Sequence, residues 1–124
     1  MNLSKEVFEN IVEESIENLD EKFKKHINNV AIFVEDFPSL EQMRKTKTRS
    51  KWNLLGLFEG YAQAKRLNFG PVLPDKITIF RRPILRACRN QLECKKQITS
   101  TLKHEIAHHF GSGEEGARKA GRKT

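Results

Sequence analysis

The sequence is poor in cysteine, with only Cys88 and Cys94 among its 124 residues. Their separation of six positions matches neither a CxxC redox pair nor the paired cysteines of a zinc ribbon. A disulfide framework and a four-cysteine metal site are therefore excluded. We expect the two thiols to behave as small buried side chains.

The sequence also lacks any apolar run approaching the roughly 18 residues that cross a membrane. Its first residues, MNLSKEVFENIVEES, are acidic and amphipathic, whereas a signal peptide begins with bases followed by an apolar stretch. We therefore expect a cytoplasmic protein without a membrane partner. The mean hydropathy is low, −0.64, but eight phenylalanines argue against disorder and the length suits one compact domain.

Acidic residues are scarce in the second half of the chain, which carries all of the formal net charge of +7. This asymmetry suggests a nucleic-acid partner that would contact Arg81, Arg82, Arg86, Arg89 and the basic tail. We do not favour that function, because the sequence contains no aromatic-rich RNA motif and no helix-turn-helix pattern. We interpret the basic stretch at residues 44–51, RKTKTRSK, as a surface loop rather than a phosphate-binding patch.

The first half of the chain predicts one long helix followed by a strand. Apolar residues recur at spacings of three and four over residues 3–27, and Ser4 can cap the start of this helix. Residues 30–37, VAIFVEDF, predict a strand that ends at Pro38. Residues 39–52 lack periodicity and predict a loop, and residues 54–66 fit a loop, a bent strand or part of a hairpin.

The second half predicts one short strand and two helices. Residues 77–80, ITIF, favour a strand, and Pro83 suits the first turn of a helix that continues to Cys88. The last helix is predicted to start near residues 91–93 and to end at Phe110, with Gly111 as its cap. Helices at both ends with short strands between them indicate an α+β fold.

One motif points to a catalytic metal site. It is the HExxH sequence of the predicted last helix, His104-Glu105-Ile106-Ala107-His108. Histidines four positions apart lie on one face of a helix and can bind one metal ion. The glutamate between them can then serve as the general base. At about 100° per residue the apolar stripe points away from the histidines, so we expect one face in the core and the other at a cleft. That stripe consists of Leu102, Ile106 and Phe110.

A catalytic zinc site usually has three protein ligands and one open position. Our preferred third ligand is Glu114, because Gly111 and Gly113 allow the chain to reverse after the helix. Glu115 and an upstream residue remain alternatives. His109 is a weaker candidate, since adjacent helical side chains point about 100° apart.

The sequence HEIAHHFG, followed by acidic residues, resembles the minimal zincins, a family of small bacterial zinc metallopeptidases. Two further segments are similar to that family, LLGLFEG at residues 54–60 and LPDKITIFRRPI at residues 73–84. The family commonly has aspartate where Glu114 or Glu115 stands here. The resemblance covers roughly residues 54–116, and the predicted N-terminal helix suits the fold of that family. We therefore expect a single zincin-like domain over residues 1–116, with an N-terminal helix, a short mixed sheet and a C-terminal active-site helix. Residues 117–124 would form a basic, flexible tail.

The function implied by this resemblance is hydrolysis of a peptide or protein substrate. Zn²⁺ would be bound by His104, His108 and Glu114, and Glu105 would be the catalytic base. The alternative is a zinc-bearing module that only binds protein or nucleic acid.

Three further roles are expectations of the same kind. Tyr61 or His109 could stabilise the oxyanion, although Tyr61 fits a packing role equally well. Glu59 could orient a histidine ligand or be an ordinary surface residue. The strand at residues 77–80 could hold an extended substrate by adding it to a sheet edge.

Overall fold

The computed structural model of the protein describes residues 1–60 and 74–110. Within these ranges the chain forms helices at both ends and short strands between them, so the α+β class is confirmed. The elements in chain order are α1 (Lys5–Glu17), α2 (Glu21–Lys24), β1 (Val30–Glu35), α3 (Leu40–Thr46), β2 (Gly56–Glu59), β3 (Asp75–Phe80), α4 (Arg81–Arg86) and α5 (Gln91–Phe110). No helix among the described residues is long and apolar enough to cross a membrane.

The three strands form one mixed sheet in the order β1-β3-β2. β3 pairs in parallel with β1, where Val30 lies opposite Asp75, and antiparallel with β2, where Gly56 lies opposite Ile79. The prediction that residues 77–80 offer a free edge to a substrate is therefore wrong. Both sides of β3 are already hydrogen-bonded, which leaves β2 and β1 as the outer strands of the described sheet.

The main core lies between the sheet and the helices α1 and α5. Alternate side chains of the strands point to one face, where Phe58, Ile77 and Ile79 are buried. The apolar stripes of the two helices cover this face, so both ends of the chain contribute to one core. Its remaining fully or nearly buried members include Phe8, Ile11, Val12, Ile84, Leu85, Cys88, Cys94, Ile98, Leu102 and Ile106. The two cysteines are buried free thiols, as predicted.

The single helix predicted over residues 3–27 is wrong, because the chain leaves the helical path between Glu17 and Glu21. Asn18 ends α1, and Asp20 is extended (φ −60°, ψ 151°) before the short α2 begins. Leu19 and Ile27 are nevertheless buried. The apolar spacing continues across the break because both sides pack on the same core, so periodicity alone could not reveal the turn.

The loop predicted over residues 39–52 is also wrong in part, since α3 occupies residues 40–46. The side chain of Ser39 accepts a hydrogen bond from the backbone of Gln42, whose own side chain accepts one from the backbone of Ser39. This reciprocal capping box starts the helix. None of its residues is buried, so α3 has no apolar stripe that sequence periodicity could detect.

The second half of the chain agrees more closely with expectation. The strand at residues 77–80 is confirmed within β3, and the final helix is confirmed from Gln91 to Phe110, where the described residues end, so its predicted end stays a prediction. The ambiguous segment at residues 54–66 contains β2, while α4 ends at Arg86 rather than at Cys88. Gly111 and the tail at residues 117–124 lie outside the described residues, so the domain boundary at residue 116 stays a prediction.

Candidate metal centre

The helix α5 carries the HExxH motif and lies against β2 and β3. Four of its buried residues follow one stripe, with Cys94, Ile98, Thr101 and Glu105 spaced by three or four positions. Glu105 therefore belongs to the face that packs against the sheet. Its carboxylate follows Cys94, Ile98 and Thr101 along this face. The motif is positioned by the rigid packing of a 20-residue helix rather than by a loop.

The histidines of the motif lie one turn apart on α5. Their ring centroids are 6.1 Å apart with an angle of 29° between the planes. Two imidazoles that bind one zinc ion through nitrogens at about 2.0–2.1 Å have centroids roughly 5–6 Å apart. His104 is 5% exposed, whereas His108 is exposed to solvent. The ring spacing is therefore close to the one that a shared ion requires, and the pair opens to solvent on the His108 side.

Glu105 is 2% exposed and makes one long-range hydrogen bond. Its Oε1 accepts from the backbone N–H of Phe58 in β2 at 3.0 Å. Its Oε2 lies 3.8 Å from Nε2 of His104. Burial raises the pKa of Glu105 to about 7, although the hydrogen bond from Phe58 acts in the opposite direction. The carboxyl group therefore lies beside Nε2 of His104 and has a pKa near neutrality.

The sequence predicts that one face of α5 packs in the core and the other lines a cleft, and the core face is confirmed. Leu102 and Ile106 are buried, and Phe110 packs against the core. The other face differs from the expectation, because His104 and Glu105 are also buried. This part of the helix packs against β2, where the N–H of Phe58 donates to Glu105. Sequence periodicity gives no sign of this contact, since Phe58 and Glu105 are 47 positions apart.

His109 packs face to face on Phe58, with ring centroids 4.1 Å apart and 18° between the planes. Desolvation at this contact and the neighbouring charge of His108 lower the pKa of His109 to about 4. The ring is therefore neutral at physiological pH. His109 therefore has a structural role that its spacing in the sequence could not suggest. Its ring attaches α5 to β2 through Phe58, the same residue whose N–H donates to Glu105.

Glu59 does not contact a histidine, contrary to the expectation that it orients a metal ligand. Its carboxylate accepts hydrogen bonds from Gln42 at 3.0 Å and Lys45 at 3.1 Å, and Lys76 lies at 3.9 Å. Burial raises the pKa of Glu59, but these hydrogen bonds and charges outweigh it and hold the pKa below its ordinary value. Glu59 thus attaches α3 to β2.

The third metal ligand is not found in the part of the chain that the structure describes. Among residues 1–60 and 74–110, no three His, Cys, Asp or Glu side chains are grouped closely enough to bind one ion. Glu114, Glu115 and Tyr61 lie outside the described residues. The structure therefore brings together His104, Glu105 and His108, and the third ligand stays a prediction.

A helix with two histidines and a buried glutamate, packed against a mixed sheet, is the arrangement that an HExxH metal site requires. The family model of the zincin-like metallopeptidases matches residues 27–121 of the chain. The chain belongs to the zincin-like metallopeptidase family, whose members generally use zinc. The match spans β1 to α5 and includes the whole motif. No curated protein matches the sequence.

Proposed function

We propose that the protein is a zinc-dependent peptidase in which His104 and His108 bind the ion and Glu105 is the general base. The placement of the Glu105 carboxylate carries this proposal. One oxygen is fixed by the N–H of Phe58, and the other lies 3.8 Å from Nε2 of His104. A glutamate with a purely structural role does not need its second oxygen beside a metal-binding nitrogen.

Bound zinc supplies Lewis acidity, which polarises a carbonyl oxygen and brings the pKa of water towards about 7. Glu105 accepts a proton at Oε2 from the water that attacks the peptide carbonyl, and it then delivers that proton to the leaving amine. The hydrogen bond from Phe58 keeps the carboxylate in one orientation through both steps. Burial of His104 and Glu105 excludes competing water from this side of the site.

The third ligand that we propose is Glu114. The described residues do not supply one within reach of His104 and His108. Residues 61–73 contain no His, Cys, Asp or Glu, and residues 111–124 contain only Glu114 and Glu115 of these types. A carboxylate with two imidazoles also suits zinc well. The choice between the two adjacent glutamates rests on the turn that Gly111 and Gly113 permit.

The substrate that we propose is an extended peptide segment that lies along the outer side of β2. Among the described residues β2 pairs only with β3, and the N–H of Phe58 places the strand beside Glu105, so a peptide would use backbone groups of β2 other than this N–H. An extended peptide that adds to such an edge gains backbone hydrogen bonds without requiring a particular sequence. Its scissile bond would then lie near Glu105 and the two histidines.

The test compares the wild-type protein with Glu105→Gln and His104→Ala, using metal analysis and turnover of a broad peptide library. We expect stoichiometric zinc in the wild type and in Glu105→Gln, and loss of zinc in His104→Ala. Glutamine retains an oxygen for the Phe58 N–H but cannot accept the proton. Hydrolysis should therefore fall by about 10²- to 10⁴-fold in Glu105→Gln.

Three outcomes would contradict the proposal. Absence of zinc after reconstitution of the wild type would remove the metal site, and undiminished turnover in Glu105→Gln would remove the general base. Zinc binding without any turnover by the wild type would favour the alternative, a zinc-bearing binding module. Glu114→Ala and Glu115→Ala serve as a matched pair, because only loss of the true ligand should weaken zinc binding.

A further inference from the structure

Three separate chain segments meet at the end of the sheet opposite the metal centre. The parallel strands β1 and β3 end side by side at Glu35 and Phe80, and antiparallel β2 begins at this same end. Phe37 follows β1, α4 follows β3, and Trp52 precedes β2. The metal centre lies towards the other end, where Glu105 and His109 contact Phe58.

Two aromatic rings and two cations make direct contact at this end of the sheet. Phe37 and Trp52 meet edge to face, with ring centroids 4.8 Å apart and an angle of 88°. The guanidinium carbon of Arg86 lies over the ring of Trp52 at 5.0 Å, and Nζ of Lys51 lies over the ring of Phe37 at 4.3 Å. We call these four residues the aromatic–cation cluster. Both rings are half-buried, while both cations are exposed.

The chain around this cluster is strongly basic. From Gln42 to Phe58 the sequence has no aspartate or glutamate, and Arg44, Lys47 and Arg49 are exposed in the segment that leads to Lys51. The exposed Arg82 follows on α4. The acids nearby in the sequence are the exposed Glu35 and Glu41, together with Asp36 next to Phe37. The carboxylate of Asp36 is paired with Arg81 at 2.9 Å.

The structure also changes which arginines can contact a partner. Arg81 is only 8% exposed and donates to Asp36 and to the backbone oxygen of Leu3. Arg89 binds the carboxylate of Glu93. Neighbouring arginines of this segment therefore differ in their availability to a partner, because Arg81 and Arg89 already bind carboxylates within the protein. Arg86 instead lies over the ring of Trp52, which follows Lys51 and is more than thirty positions away in the sequence.

We propose that the aromatic–cation cluster and the basic segment before it bind single-stranded nucleic acid. Exposed cations match the spaced phosphates of an extended strand, and when Lys51 and Arg86 turn to phosphates the ring faces that they cover can stack on unpaired bases. The guanidinium of Arg86 and the ring of Trp52 together provide the flat surfaces that bases require. An acidic protein would match the charges but would leave the paired rings unexplained.

Trp52 is the only tryptophan in the chain, so its fluorescence reports directly on the cluster. The full-length protein would be titrated with an oligothymidylate strand at several salt concentrations. We expect the fluorescence of Trp52 to be quenched on binding, and the affinity to fall steeply with salt. Each phosphate contact should contribute about 0.7 to the slope of log affinity against log salt concentration.

The variant that tests the site is Lys51→Ala/Arg86→Ala, and its matched control is Lys22→Ala/Lys25→Ala, at an exposed residue of α2 and at the exposed residue that ends it. Both double variants remove the same charge. We expect roughly tenfold weaker binding and a smaller salt slope for the first pair only. Far-ultraviolet circular dichroism verifies that each variant is folded.

Several results would overturn this proposal. Binding that is absent at low salt would exclude it, and equal weakening by both double variants would indicate diffuse attraction without a site. Inorganic polyphosphate offers the same charges without bases. If polyphosphate quenched Trp52 as strongly as the oligonucleotide does, the site would be one for polyanions and base stacking would be excluded. None of these measurements depends on zinc or on peptide hydrolysis.

Discussion

Gly56 is a residue at which α5 approaches the sheet closely. A methyl group built at its Cα would lie 2.6 Å from Cγ2 of Thr101 and 3.3 Å from the backbone oxygen of Thr78. Thr101 cannot turn away without cost, because its hydroxyl donates to the backbone oxygen of Gln97 at 2.8 Å. The absence of a side chain at Gly56 therefore fixes the distance between α5 and β2, and with it the contact of Glu105.

We expect Gly56→Ala to destabilise the protein by about 1–3 kcal/mol, because the new methyl group overpacks the contact between strand and helix. Urea denaturation measures this change. The substitution should also weaken zinc binding, since it moves the helix that carries His104 and His108 away from the strand.

Two variants distinguish this steric effect from a general effect of alanine. Thr101→Ser removes the clashing methyl group but keeps the hydroxyl, so Gly56→Ala should cost less in the serine background. Gly60→Ala places its methyl group 3.4 Å from Phe58, an ordinary contact, and should change stability by less than about 0.5 kcal/mol. An equal cost of Gly56→Ala in both backgrounds would show that Thr101 is not the obstacle.

The residues of the site were predictable only to the extent that they are local. The spacing of His104 and His108 fixes their common helical face, so the pair follows from the sequence. The hydrogen bond between Phe58 and Glu105 depends on the register of β2 against β3, which no local pattern encodes. Glu59 shows the same limit, because its contacts with Gln42 and Lys45 depend on a helix that has no apolar stripe.

Among the elements, α3 is held at its start by a cap and at its side by Glu59, without a buried residue of its own. We expect Ser39→Ala to remove about 1 kcal/mol from the local stability of α3. Hydrogen exchange should then show about fivefold weaker protection of the amides of α3. The global free energy of unfolding should change little, because α3 contributes no buried residue to the core.

Ser4→Ala is the matched control for this prediction. Ser4 caps α1 in the same manner, by accepting from the N–H of Val7. However, α1 buries Phe8, Ile11 and Val12. Its cap should therefore affect global stability rather than local exchange. If Ser39→Ala lowered global stability as much as Ser4→Ala, α3 would be part of the cooperative core.

The contrast between α1 and α3 explains which elements the sequence could reveal. Periodicity detects a helix through the face that it buries, so α1 and α5 were predictable while α3 was not. The sequence signal for α3 is the capping pair Ser39 and Gln42, which periodicity does not detect. Periodicity also failed at Asn18–Asp20, because a turn between two segments on the same core leaves the apolar spacing intact.

At the scale of the whole molecule, Arg81 joins three segments that are distant in sequence. Its guanidinium donates to the backbone oxygen of Leu3 before α1 and to Oδ1 of Asp36 after β1, while its own backbone begins α4. The N-terminal segment, which precedes the family match at residue 27, is thereby attached to the sheet. The side chain of Asp36 is 49% exposed, so solvent screens its share of this ion pair.

We expect Asp36→Asn to lower the free energy of unfolding by about 1 kcal/mol near neutral pH. The hydrogen bond and charge of Arg81 hold the pKa of Asp36 below its ordinary value of 3.8. A carboxyl group with a lowered pKa stabilises the folded state above its unfolded pKa, and this contribution is lost as the pH falls through the folded value. The difference between the wild type and Asp36→Asn should therefore be constant from about pH 7 to about pH 5 and should shrink below about pH 4.

Urea denaturation of both proteins across this range measures the difference, and Asp20→Asn provides the control. Asp20 is an exposed aspartate whose side chain makes no capping hydrogen bond with α2. Its replacement should change stability by less than about 0.5 kcal/mol at neutral pH. A difference for Asp36→Asn that persisted undiminished to about pH 3 would show that the carboxylate charge does not contribute. The attachment of the N-terminal segment would then depend on the contact of Arg81 with Leu3 and on the packing of α1 alone.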